Sequence, residues 1–156
     1  MLTPVRIGKW SARTSGFAIV ASRYNSRYVD SMLRAALREL KRARAQTIKV
    51  VRVPGAYEIP VVVARLLQGP EAYAAILCLG VIIRGETIHA QLIGEAVSAS
   101  LARLQIERGV PVIHEVLLLE NEAQARARCL GKTHNRGAEA AQTALEMARV
   151  MAGLGL

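Results

Sequence analysis

Short apolar runs alternate along the chain with stretches of helical period, and this alternation restricts the fold more than any other feature. Phe17-Ala18-Ile19-Val20-Ala21, bounded by Gly16 and Ser22, reads as a strand. Within residues 28–40 the apolar positions Val29, Met32, Leu33, Ala36, Leu37 and Leu40 keep helical spacing, with charges on the opposite face. Residues 48–53 are β-branched and predict a second strand, ended by Pro54-Gly55. Residues 59–67 predict a helix that tolerates Pro60 in its first turn and is closed by Gly69-Pro70. The run 74–83 is too apolar for an exposed strand and predicts a central one. A helix over about 90–108 carries Ile93, Val97, Leu101 and Leu104 as its stripe and stops at Gly109. A fourth strand over 110–119, a short helix over 121–129, a loop over 131–135 and an alanine-rich helix over 137–151 complete the chain. Strand followed by helix four times, with one extra helix, predicts a parallel sheet covered by helices on both faces. Ligands of such sheets bind at the carboxyl ends of the strands, so the chemistry is sought there.

A chain of 156 residues fits one domain over 1–156, with residues 1–15 as an N-terminal arm that needs a surface to lie against. A domain of this size buries roughly 70% of its unfolded surface. With aromatics at only 4%, the core must be built from Val, Ile, Leu and Ala. The formal charge of +9 attracts anions, from nucleic acid to phosphorylated metabolites. Much of it sits at Arg34, Arg38, Lys41, Arg42, Arg44 and Lys49, which read as a solvated helix face and the turn after it. A nucleic-acid partner is disfavoured, because no aromatic platform, RNA-recognition motif or helix-turn-helix signal accompanies the charge. Cys78 and Cys129 form no CxxC pattern and read as free thiols of a reducing compartment. No run approaches the roughly 20 apolar residues of a membrane span. The first residues lack an apolar signal core, so the expectation is a soluble, cytoplasmic protein without a membrane partner.

At the end of the first strand, Tyr24 is placed to stack on a flat heterocycle, or to serve only as packing. After the second strand, Pro54 and Gly55 fix a turn. Ala56, Tyr57 and Glu58 then open a helix with free backbone donors. Glu58 suits the hydroxyls of a polyol, or merely the helix dipole. After Val81, Ile82 and Ile83, the segment Arg84-Gly85-Glu86-Thr87-Ile88-His89 turns into a helix start, which is a ready anion site. Glu86 and Thr87 offer backbone N–H groups there, and the Glu86 carboxylate itself would repel phosphate. His89 stands at the same mouth, where an imidazole moves protons near neutral pH. His114 and Glu115 lie on the fourth strand, Arg128 in the short helix, and Arg136 and Glu139 at the start of the last helix. An arginine matches the fork of phosphate oxygens, although each of these alone reads as a surface charge. The histidines His89, His114 and His134 are too dispersed for a zinc site, so no metal is expected.

Ala21-Ser22-Arg23-Tyr24-Asn25, Val53-Pro54-Gly55-Ala56-Tyr57-Glu58-Ile59-Pro60, Gly80 to His89, and Asn135-Arg136-Gly137-Ala138-Glu139-Ala140-Ala141 together resemble the ordered signature blocks of the lumazine synthase family. The resemblance runs over about 17–151. It implies an α/β, three-layer, flavodoxin-like domain with a four-stranded parallel sheet flanked by helices. It also implies a homopentamer, the assembly of pentamers into a sixty-subunit shell, active sites between neighbouring subunits, and riboflavin synthase as a partner. The implied reaction joins 5-amino-6-(D-ribitylamino)uracil and 3,4-dihydroxy-2-butanone 4-phosphate into 6,7-dimethyl-8-ribityllumazine, with no cofactor. By similarity, Tyr24 stacks on the uracil, Ala56, Tyr57 and Glu58 hold the ribityl chain, and Val81, Ile82 and Ile83 flank the pyrimidine. Glu86 and Thr87 meet the phosphate through their backbone, Arg128 is the phosphate-binding arginine, and His89 the proton-transfer histidine.

The chain departs from the family pattern at several of these positions. Tyr24 stands where Phe is usual, and Arg136 replaces a Lys. Ala90-Gln91 replaces Phe-Asp after the histidine, and His114-Glu115 replaces Phe-Gly on the fourth strand. His114 keeps a stacking face but gains a polar edge. These changes motivate an alternative, a catalytically weak or silent shell-forming paralogue that binds flavin or lumazine.

Overall fold

A computed structural model describes residues 10–155. Four parallel strands, β1 (Gly16–Ser22), β2 (Thr47–Val53), β3 (Ala75–Ile83) and β4 (Val112–Leu119), form one sheet in the order β2-β1-β3-β4. The helices are α1 (Ser26–Arg42), α2 (Ile59–Gln68), α3 (His89–Arg108), α4 (Glu122–Cys129) and α5 (Arg136–Gly153). A single 3-10 turn, Ala56–Glu58, precedes α2.

Alternate residues of each strand enter opposite cores, which is why the inner strands read as continuous apolar runs. Phe17, Ile19, Leu77 and Leu79 pack with α1, α4 and α5, whereas Ala18, Val20, Ile76 and Cys78 pack with α2 and α3. Each fully buried aliphatic side chain contributes about 1.5–3 kcal/mol relative to exposure. The result is the three-layer arrangement expected from the alternation, with β3 central as its composition required. Both cysteines are free and buried.

Helix ends follow local chemistry. The side chains of Asn121 and Asn135 cap α4 and α5 by accepting from Gln124 N–H and Gly137 N–H, at 2.9 and 2.8 Å. Gly109 ends α3 in the left-handed region at φ +63°, the conformation glycine adopts most cheaply. Gly69, read as a similar stop for α2, is instead extended at φ −74° and ψ 175°. The break there follows from Pro70, whose ring disfavours helical geometry at the residue before it. At the start of α5, an ideal Cβ on Gly137 would sit 2.0 Å from the Met32 carbonyl oxygen, so glycine is what lets α5 approach α1.

Of the stretch 1–15 read as an arm, residues 1–9 lie outside the described residues. Ala12 is buried, its N–H donating to Ala43 O at 2.8 Å, and Trp10 packs against the α1–α5 core. The basic residues Arg34, Arg38, Lys41 and Arg44 are exposed, as a solvated face requires. Lys41 and Arg42 occupy the last turn of α1, where cations complement the helix dipole. Among the described residues, no helix is long and apolar enough to cross a membrane.

Candidate active site

β1 leads to β2 on one side and, through that crossover, to β3 on the other, so the winding reverses at the carboxyl ends of β1 and β3. A pocket of about 660 Å³ opens there. This is the crevice where open α/β sheets take their ligands.

Three turns build the near wall. Arg23 N–H and Tyr24 N–H donate to the Pro54 carbonyl at 3.0 and 2.9 Å, which ties the end of β1 to the end of β2. Arg52 strengthens the tie. Its guanidinium donates to Ala21 O, Ser22 O and Asp30 Oδ1, the last at 2.7 Å. The Tyr24 ring lies so close over Gly55 that a Cβ there would fall 2.9 Å from Tyr24 Cδ2. Glu58 folds back, and its Oε2 accepts from Gly55 N–H at 2.9 Å. One carboxylate oxygen is therefore committed to the turn. Tyr24 and Tyr57 remain 68% and 63% exposed at the pocket, a large aromatic area left uncovered by the chain itself.

The floor is the end of β3. Pairing with β1 stops at Ala21 opposite Leu79, whereas pairing with β4 continues to Ile83 opposite Leu119. Val81, Ile82 and Ile83 thus project past β1 and present one backbone edge without a strand partner. Asn25, in the left-handed region at φ 57°, donates from Nδ2 to Val81 O at 2.8 Å. The far wall is the first half of α3, where His89, Leu92, Ile93 and Ala96 face the pocket. Gly85, Glu86 and Thr87 form the exposed loop just before it. Thr87 Oγ1 accepts from His89 N–H at 3.4 Å. Among the described residues no backbone partner is recorded for the Glu86 and Thr87 N–H groups.

One chain therefore brings Tyr24, Ala56, Tyr57, Glu58, Val81, Ile82, Ile83 and His89 to one pocket, with Glu86 and Thr87 on the loop leading into α3. His114, Arg128 and Arg136 are not part of that pocket lining. Arg128 is exposed on α4, without an acidic partner among the described residues. Arg136 is held at the start of α5 by two carboxylates, Nε to Glu115 Oε1 at 2.6 Å and Nη1 to Glu139 Oε2 at 3.1 Å. Glu115 is only 6% exposed; burial pushes its carboxyl pKa up, and the Arg136 cation opposes the shift. His114 stands exposed on the edge strand β4, and partial desolvation beside α3 pushes its pKa down. Asn25, Gly55, Leu92, Ile93 and Ala96 line the pocket without having been named as site residues; Ile93 had been read only as part of the apolar stripe of its helix, and Gly55 only as a turn residue. For Asn25 a signal existed, since Asn after a strand is a residue that accepts the left-handed region. Among the described residues no three His, Cys, Asp or Glu side chains gather as a metal-ligand group.

Fold and pocket together define a flavodoxin-like α/β protein with an aromatic-rimmed crevice at its switch point. The sequence profile of 6,7-dimethyl-8-ribityllumazine synthase matches residues 14–152. Proteins of that name are similar over most of their length. That of Pyrococcus furiosus is 41% identical over 138 residues, 88% of this chain and 86% of its own. That of Desulfotalea psychrophila is 42% identical over 149 residues, 94% of this chain and 96% of its own. That of Stenotrophomonas maltophilia is 42% identical over 137 residues, 86% of this chain and 88% of its own. The chain belongs to the 6,7-dimethyl-8-ribityllumazine synthase family.

Proposed function

We propose that the protein condenses 5-amino-6-(D-ribitylamino)uracil with 3,4-dihydroxy-2-butanone 4-phosphate to 6,7-dimethyl-8-ribityllumazine, releasing phosphate and two molecules of water. The observation that carries this reading is the meeting, in one pocket, of the Tyr24 ring, the backbone edge of Val81–Ile83 left without a strand partner, and the His89 imidazole. The ring covers a face of the uracil, and the edge hydrogen-bonds its amide-like perimeter. Ala56, Tyr57 and the uncommitted oxygen of Glu58 receive the ribityl hydroxyls. The backbone N–H groups of Glu86 and Thr87, at the entry to α3, receive the phosphate.

The 5-amino group attacks the ketone and loses water to give an imine. Phosphate is eliminated from the four-carbon unit, and the ribityl-bearing nitrogen closes the ring with loss of the second water. Each step moves protons at carbon, nitrogen or oxygen, the task assigned to His89. Holding both substrates side by side supplies the rest of the acceleration.

His114, Arg128 and Arg136 complete the site from a neighbouring subunit. Their separation from the pocket of their own chain supports this reading, as do the uncovered Tyr24 and Tyr57. Arg128, without an acidic partner among the described residues, is the second phosphate ligand; Arg136, already paired, contributes directed donors rather than a free charge. The assembly is a homopentamer that closes into a sixty-subunit shell in the cytoplasm, works without a cofactor, and delivers its product to riboflavin synthase.

Mixing purified protein with both substrates and following lumazine absorbance tests the proposal. His89→Ala should lower kcat about a hundredfold, the scale of one general acid–base group. Arg128→Ala should raise KM for the butanone phosphate roughly ten- to a hundredfold, the worth of a charge-assisted hydrogen bond. Protein-independent product, or full activity in both variants, would refute it.

A further inference from the structure

The two faces of α3 do different things. His89, Leu92, Ile93 and Ala96 look into the pocket, while Gly94 and Ser98 look towards β4. On that second face lies a short chain of hydrogen bonds centred on His114. Val116 N–H donates to His114 Nδ1 at 3.1 Å. A nitrogen that accepts an N–H carries no proton, so the proton of the neutral ring resides on Nε2. Nε2 lies 2.7 Å from Ser98 Oγ and donates to it, and Ser98 Oγ–H in turn donates to Gly94 O at 2.7 Å. Every polar atom of the imidazole is thereby satisfied within its own subunit. Protonation would place an N–H against the Val116 N–H, and the partial desolvation of this exposed ring beside α3 also favours the neutral form. What the ring has left to offer is a flat, uncharged face and its C–H edge.

We propose that Ser98 is a positioning residue: it fixes the orientation of the neutral His114 ring, whose tautomer the Val116 N–H sets, and so aims the face that the ring offers to the heterocycle of the adjacent subunit. This assignment rests on the composite site described under the proposed function. It explains how a polar residue stands where the family carries Phe without wetting the pocket wall. The lock uses up the donor and the acceptor that would otherwise draw in water. Ser98 touches no substrate; it acts through the ring.

Two measurements on the assembled full-length protein test this. The first is solid-state nitrogen NMR of sedimented protein labelled at its three histidines, with His114→Phe identifying the His114 signals by subtraction. His114 should show one protonated and one bare nitrogen at neutral pH, and Ser98→Ala should shift the protonated nitrogen, which loses its acceptor, while the bare nitrogen stays with the Val116 N–H. Averaged or doubly protonated signals in the wild type overturn the lock. The second is the Kd of 6,7-dimethyl-8-ribityllumazine, read by its fluorescence. Ser98→Ala should weaken binding about three- to tenfold, the fold-change of one stacking contact. In a His114→Phe background the same substitution should change Kd by less than about twofold. Equal weakening in both backgrounds would make Ser98 a packing residue of α3 and overturn the proposal, as would no weakening in either. A wild type that binds no lumazine while its nitrogen signals are locked would sink the composite site and the role of the ring face together, but not the hydrogen-bonded lock.

Discussion

Glu115 and Arg136 are separate departures in the sequence and two halves of one contact in the structure. The bond between them spans β4 and α5 and lets a carboxylate enter the core at 6% exposure. The two partners are unequal, because Arg136 keeps Glu139 when Glu115 is lost, whereas Glu115 has no second cation among the described ion pairs. Arg136→Met should therefore cost about 3 kcal/mol by leaving a buried charge unpaired. Glu115→Gln should cost about 1 kcal/mol. Urea unfolding of both variants reads the difference. The pH dependence has a definite sign. With its folded pKa raised above the unfolded one, Glu115 in Arg136→Met penalises the fold above that folded pKa. The penalty disappears as the pH falls below the unfolded carboxylate range. The gap between the two variants should close on acidification; a gap that widens would show that the carboxylate is not the source.

At the level of elements, close approach matters more than helix propensity. Gly137→Ala drives a methyl into the Met32 carbonyl region and must push α5 away from α1, costing about 3 kcal/mol or more. Gly109→Ala meets open space and carries only the left-handed backbone penalty, about 1 kcal/mol. Denaturant midpoints of the two variants check the order. The elements themselves were legible because their signals are local: β-branched runs at 48–53, a 3.6-residue period at 28–40, Gly109 as a stop. The alternation of strand and helix then left few topologies, and the strand-end rule located the crevice. The sequence was silent wherever an interaction joins distant residues. The 2.7 Å contact of Ser98 with His114 and the pairing of Glu115 with Arg136 depend on which strand faces which helix. The projection of Val81–Ile83 past β1 is likewise a matter of register, which composition does not encode. Tyr24 and His89 could be singled out because they flank turns; Leu92 and Ala96 could not, because an apolar residue on a helix reads the same whether it faces core or pocket.

For the molecule as a whole, the proposed composite site, with His89 in the pocket and Arg128 outside it, predicts that activity is a property of neighbours. Subunits carrying His89→Ala, co-assembled with subunits carrying Arg128→Ala, should recover turnover that neither shows alone, because some interfaces then unite both wild-type residues. Recovery absent from verified hybrid assemblies would place the whole site in one chain. Light scattering should return at least a pentamer at working concentration; a monomer that turns over substrate would contradict the composite site. The two buried cysteines give the protein a pair of internal clocks. Burial pushes the Cys78 thiol far up and that of Cys129 to about 11, so a thiol reagent at neutral pH finds neither as a thiolate. Alkylation must wait for the chain to open. Cys78 lies on β3, between β1 and β4, and should be labelled only when the sheet comes apart. Cys129 ends an eight-residue helix beside Arg128 and should be labelled earlier, through local opening. The delay that a phosphate-bearing substrate imposes on the faster clock, and not on the slower one, would time how firmly the occupied site holds α4 closed.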